Sequence, residues 1–184
     1  AEVDEAIYLR RRGLGDPCMG EVAGMRPEGF DFGNSPFELS QADVQGKTLI
    51  QSTRAGTVGV AAAQNADRIY AGSLVTAEAT AQAILRHSPD LVSIVAMGVE
   101  GVARADEDEQ CALYIRNLLQ GRKPGRDAVR ELILVGEESQ KYGDPARPHF
   151  NPRDKDTALQ IDTVPFAIQV SRENGLMIAR PEPV

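Results

Sequence analysis

Lys47-Thr-Leu-Ile-Gln-Ser-Thr53, then Arg54-Ala55-Gly56-Thr57, then the alanine-rich run Val58 to Asn65, reads as a strand, a sharp loop and a helix in succession. The pattern repeats downstream. Arg68 to Ser73 is a second strand. Thr76 is placed as a helix N-cap with Glu78 in the first turn, and that helix runs to about Arg86. Ser88-Pro89 breaks it, and Leu91 to Met97 (LVSIVAM) is a third strand, nearly all apolar. Strands apolar on both faces, alternating with helices, predict a mainly parallel sheet covered on both sides. The expected fold is α/β, a three-layer α/β/α sandwich with a mainly parallel or mixed sheet, as a single domain over residues 1–184.

Outward from this core the signals remain local. Residues 2 to 12 carry Val3, Ala6 and Ile7 at helical spacing, and Gly13 and Gly15 end that helix. Cys18 to Ala23 is a short apolar stretch with Glu21 inside it, and Ala42 to Gly46 makes a turn. Asp106-Glu107-Asp108-Glu109 leads a helix with the apolar stripe Cys111, Tyr114, Ile115, Leu118 and Leu119, closed by Gly121. Asp127 to Tyr142 predicts one more helix, with Val129, Leu132 and Ile133 facing inward. Residues 144 to 157 are Pro-rich and charged and read as a loop. Val164 to Val170 and Leu176 to Ala179 flank Asn174-Gly175, a strong hairpin signal because both residues accept positive φ. A C-terminal β-hairpin therefore closes the domain and offers an edge for a homodimer.

Composition excludes several function classes. The 184 residues suffice for one full-sized core, and 42% hydrophobic with 26% charged residues is an ordinary globular balance. No apolar run approaches membrane-spanning length, and the start shows no signal-peptide pattern. A net charge of −7 argues against sequence-independent nucleic-acid binding, which needs a positive surface. Two well-separated cysteines, Cys18 and Cys111, form no disulfide framework or zinc pattern, so a reducing, cytoplasmic location is expected. His87 and His149 are isolated, with no partner at metal-ligand spacing. The chain opens in a helix without an initiator Met, and an α/β domain usually begins with a strand. An amino-terminal segment upstream of Ala1 is the expectation.

Three places could carry chemistry. Gly29-Phe30-Asp31-Phe32-Gly33-Asn34-Ser35-Pro36 is too rich in turn formers for a helix interior. Phe30 and Phe32 would anchor a loop that presents Asp31, Asn34 and Ser35, or would simply pin a surface turn. Ser52, Thr53, Arg54, Gly56 and Thr57 form an anion site at the carboxyl end of a strand, or an ordinary βα turn with a Thr cap. No Walker A motif is present. The acidic run stabilises a helix start through its dipole, but four carboxylates exceed what capping requires. Glu107 and Asp108 could hold a hard cation such as Mg²⁺, which takes one or two carboxylates plus substrate oxygens. Glu21 and Asp31 stand as isolated carboxylates in apolar surroundings. Asp154 and Asp162 read as satisfied turn residues.

In order, Gly20-Glu21, the Gly29 to Pro36 block, Gly46-Lys47, Ser52-Thr53, Gly56-Thr57, Gly72-Ser73 and Glu107-Asp108 followed by Cys111-Ala112 resemble the 2-phosphosulfolactate phosphatases. The resemblance covers roughly residues 1 to 180. It implies a three-layer α/β/α hydrolase of a small anionic phosphate ester. That hydrolase would take 2-phospho-3-sulfolactate to sulfolactate and phosphate, a step of coenzyme M biosynthesis, with Mg²⁺ as cofactor. The implied site has Mg²⁺ among Glu21, Asp31, Glu107 and Asp108, phosphate against Ser52 to Thr57, and Asn34 and Ser35 orienting substrate. Asp31, Glu107 and Asp108 are its catalytic candidates. The chain departs from the family pattern at Val22, where Arg is usual, and at Arg54-Ala55, where Thr-Asn is usual. The family's first strand, with an Asp-Val-x-Arg-Ala motif, is not found before Ala1. A non-catalytic anion-binding relative and a phosphatase for another small anionic ester are the alternatives.

Overall fold

A computed structural model describes residues 2–99 and 101–184. Its elements in chain order are α1 (Val3–Arg11), β1 (Cys18–Gly20), α2 (Pro36–Ser40), β2 (Ile50–Ser52), α3 (Gly56–Ala62) and β3 (Ile69–Tyr70). A 3-10 turn (Leu74–Thr76) follows, then α4 (Ala77–Arg86), α5 (Asp106–Leu119), α6 (Arg126–Leu134), α7 (Glu137–Gln140), α8 (Pro152–Ala158), β4 (Phe166–Glu173) and β5 (Leu176–Pro183). The fold is α/β with mixed strand pairing. β1 and β2 pair in parallel, with Met19 opposite Gln51. β3, β4 and β5 form an antiparallel sheet in that order, which leaves β5 at an edge. The terminal hairpin turns where it was expected, with Asn174 and Gly175 at φ of 50° and 84°.

Burial organises two cores. Leu74, Ala77, Tyr114, Ile115, Val129, Ile133, Leu159 and Ile161 pack together, with Cys111, Leu118 and Leu119 against them. This joins the α5 stripe to α4, α6 and the chain before β4. Ala6, Cys18, Phe30 and Ile50 form the second cluster, between α1 and the parallel pair.

Four expectations are corrected. Leu91 to Met97 is not a strand, because its backbone pairs with no strand among the described residues. Leu91 and Val95 are 82% and 71% exposed. Apolar composition favours burial but does not supply a pairing neighbour. The expected helix from Asp127 to Tyr142 breaks into α6 and α7 at Gly136, where a Cβ would lie 2.6 Å from an Asp106 carboxylate oxygen. Leu132, expected inward, is 54% exposed. The expected loop over 144 to 157 contains α8, capped by Asn151 with Pro152 in its first turn. Thr76 is the N-cap residue of α4, as expected, but its side chain makes no cap bond. Its hydroxyl pairs with Ser73, while Asp162 Oδ1 accepts the Glu78 N–H at 2.7 Å.

Candidate active site

Glu21 follows β1 directly, and its backbone N–H donates to Ser52 O at 3.0 Å, so it stands beside the end of β2. Its carboxylate bridges two loops. Oε2 accepts from Gly24 N and Oε1 from Arg54 N, both at 2.9 Å. Thr53 and Thr57 satisfy each other: the Thr57 hydroxyl donates to Thr53 O at 2.7 Å, and Thr57 N donates to the Thr53 hydroxyl at 3.3 Å. Ser52 is buried. Side chains thus take part of the expected anion loop, Glu21 accepting from the Arg54 amide and Thr53 pairing with Thr57, while Arg54, Ala55 and Gly56 line the cavity.

The acidic run splits by neighbour. Asp106 packs at the α6–α7 corner beside Gly136, and Glu109 pairs with Arg104. Glu107 and Asp108 line a cavity of about 1110 Å³ whose wall also includes Glu21, Asn34, Arg54 and Gly56. Asp108 Oδ2 accepts from Gly98 N at 2.7 Å, which ties the loop after Leu91–Met97 to the start of α5. Burial raises the Glu107 carboxyl above its ordinary range, with Asp108 and Glu138 adding to the effect. A backbone hydrogen bond and Lys141 oppose them. Burial also pushes the Cys111 thiol in the same wall up to about 12, so it stays protonated and is no thiolate nucleophile at neutral pH.

The structure does not bring every candidate to this cavity. Asp31 Oδ2 pairs with Arg10 of α1 and accepts from Cys18 N at 2.9 Å, and Asp31 is not part of the cavity wall. Ser35, Ser52, Thr53 and Thr57 also lie outside the wall. Among the described residues, no three His, Cys, Asp or Glu side chains form a group able to hold a metal ion. Asp31→Asn is therefore expected to cost about 1 kcal/mol through its weakened bonds to Arg10 and Cys18, a fall of roughly 2–4 °C in midpoint. Turnover should stay near wild type. Thermal melts run beside phosphate release decide this, and lost turnover with an unchanged midpoint would return Asp31 to the site.

The wall also holds Lys141 and Tyr142, which the sequence reading did not single out, and His149 and Asp154, which it took for an isolated histidine and a satisfied turn residue. Lys141 pairs with Glu138 and sits 4.8 Å from the centre of the Phe150 ring. Tyr142 packs edge-on to that ring at 5.4 Å, and His149 tilts over it at 4.3 Å. Burial, with Asp154, Glu107 and Glu138 nearby, pushes the Tyr142 hydroxyl up to about 12, so it stays a donor. Asp154 is 5% exposed, and its Oδ1 accepts from the Ser35 hydroxyl at 2.7 Å and from Phe37 N at 3.0 Å. Asn151-Pro152 followed by Asp154, an N-cap, a first-turn proline and a first-turn acid, was the signal that could have revealed α8.

The family model for 2-phosphosulpholactate phosphatase matches residues 1–145. The chain belongs to the 2-phosphosulpholactate phosphatase family. A Clostridium acetobutylicum protein named "Probable 2-phosphosulfolactate phosphatase" is 41% identical over 121 residues, covering 65% of this chain and 51% of that protein. A Thermus thermophilus protein of the same name is 31% identical over 172 residues, covering 88% and 69%. One from Bacillus subtilis is 28% identical over 174 residues, covering 92% and 74%. The chain spans about half the length of the first of these curated relatives. The family match ends before α8, so Asp154 lies beyond it. No helix among the described residues is long and apolar enough to cross a membrane.

Proposed function

We propose that the chain carries the site of a magnesium-dependent phosphoric monoester hydrolase acting on 2-phospho-3-sulfolactate, releasing sulfolactate and phosphate. The observation that carries this reading is the family match across residues 1–145, within which the acidic helix start places Glu107 and Asp108 in the wall of a cavity of about 1110 Å³. The four carboxylates suggested by resemblance do not form one ligand set, since Asp31 is held by Arg10 and both Glu21 oxygens accept backbone N–H groups. Glu107 and Asp108 do fit Mg²⁺, which keeps water and substrate oxygens and needs one or two carboxylates. Such an ion, when bound, offsets charge on the phosphoryl oxygens. The chain's own part is to bind and orient. Asn34 offers an amide to the substrate, Arg54 a guanidinium at the wall, and Asp108 fixes the Gly98 loop.

The test is phosphate release from phosphosulfolactate with Mg²⁺ and with a chelator. Release with Mg²⁺ that the chelator abolishes is expected. Release unaffected by chelation removes the metal from the reading. A second reading, a non-catalytic anion-binding relative, draws support from Glu21, whose carboxylate already takes amides of the expected phosphate loop. Calorimetric binding of sulfolactate without any hydrolysis would favour it. A panel of small phosphate esters separates phosphosulfolactate from another substrate.

A further inference from the structure

Asp154 is the carboxylate of the cavity wall whose one oxygen takes two hydrogen bonds, from a side chain and from a backbone amide. Oδ1 takes the Ser35 hydroxyl and the Phe37 amide and so fixes the side chain's orientation. Oδ2 accepts no hydrogen bond and joins no ion pair among the described residues. The side chain is 95% buried by its exposure of 5%, yet it belongs to the cavity wall. Oδ2 is not a buried orphan, since the one such side-chain atom among the described residues is Arg10 Nε, so it is open to what enters the cavity. Asp154 and Glu107 line the same cavity, and both raise the Tyr142 hydroxyl. Asp154 does not group with Glu107 and Asp108 into a three-carboxylate ligand set.

We infer that Asp154 is the general base of the hydrolysis, with Oδ2 taking a proton from the attacking water. The inference rests on the hydrolase reading above. The water proton passes to Oδ2 while the water oxygen bonds to phosphorus. The phosphorus–oxygen bond to the alcohol breaks, and the departing alkoxide takes a proton from solvent. Asp154 then returns its proton to solvent, so the sum is ester plus water giving alcohol and phosphate. The rigid hold on Oδ1 is what such a base requires, because a positioned carboxylate within reach of the water supplies its rate effect only in one orientation. The Ser35-Pro36 turn thus serves the reaction through Asp154 rather than by touching substrate.

Asp154→Asn keeps an oxygen for Ser35 and Phe37 but cannot take the proton. Its kcat should fall by about 100-fold or more, while sulfolactate affinity stays within about threefold and the fold persists. In Asp154→Ala, added formate should restore part of the turnover, which a scaffolding residue would not show. Wild-type rates in Asp154→Asn overturn the inference and leave the hydrolase reading intact. Loss of sulfolactate binding in step with turnover, with no formate rescue, also overturns it in favour of scaffolding alone. A wild-type chain that releases no phosphate from any ester tested defeats the hydrolase reading, and this inference with it.

Discussion

Glu107→Gln is expected to lower Mg²⁺-dependent phosphate release by on the order of 100-fold and, at neutral pH without metal, to raise the thermal midpoint. The rate loss follows from removing one of two carboxylates proposed to hold the ion, when such an ion is worth several kcal/mol in the transition state. The stability gain follows from the sign of the titration. Burial, then Asp108 and Glu138, hold the folded Glu107 carboxyl above its unfolded value of about 4.3. Its contribution is therefore fully present below that value and lost as pH rises through the folded pKa. At neutral pH the ionised group opposes folding, and glutamine removes the opposition. The gap between variant and wild type should close as the solution approaches pH 4. Added Mg²⁺ should raise the wild-type midpoint and leave the variant's unmoved, because only a state that binds the ion is stabilised by it. The opposite sign has a clear meaning. If Glu107 only stabilises the helix start through the dipole, its loss should lower stability by about 0.3–1 kcal/mol and spare turnover.

What was legible in the chain was whatever depends on near neighbours. The Asn174-Gly175 turn, the α5 stripe ended by Gly121, and the parallel strand before Arg54 all follow from local patterns. The place of Glu107 and Asp108 in the first turn of α5 was also legible, since an acidic run behind a Gly-rich loop marks a helix start. What failed depended on partners distant in sequence. Asp31 carries no mark of Arg10, yet the two pair in the fold. Glu21 shows no sign that two backbone amides will take both its oxygens. Gly136 breaks a helix because Asp106 packs against it, a contact across thirty positions (136 minus 106) that periodicity does not contain. Leu91 to Met97 failed for a related reason. Hydropathy describes what a segment would bury, while a strand also needs a backbone alongside it.

Asp162 was read as a turn residue, and it is one, with a φ of 56°, but its carboxylate does more. The side chain is 2% exposed and joins three elements: Oδ1 accepts from Glu78 N of α4, while Oδ2 accepts from the Tyr114 hydroxyl of α5 at 2.6 Å and from Arg126 Nε of α6 at 3.1 Å. Asp162→Ala is expected to cost about 3–5 kcal/mol, since it strands a buried hydroxyl and leaves an α4 amide without its acceptor. An alanine at that positive φ adds strain. The midpoint should fall by roughly 6–20 °C for a chain of this size. The Arg126 share is small, because its side chain is 55% exposed and solvent screens the pair. The buried Tyr114 hydroxyl carries more, and this can be separated. If its stranding is the main cost, Tyr114→Phe in the Asp162→Ala background should recover part of the loss, because removing both partners spares the desolvation penalty. Additive losses from the two substitutions would instead assign the cost to the α4 cap. Either way the effect should reach the cavity, since α4 and α5 supply Thr80, Ile84, Ala112 and Ile115 to its wall.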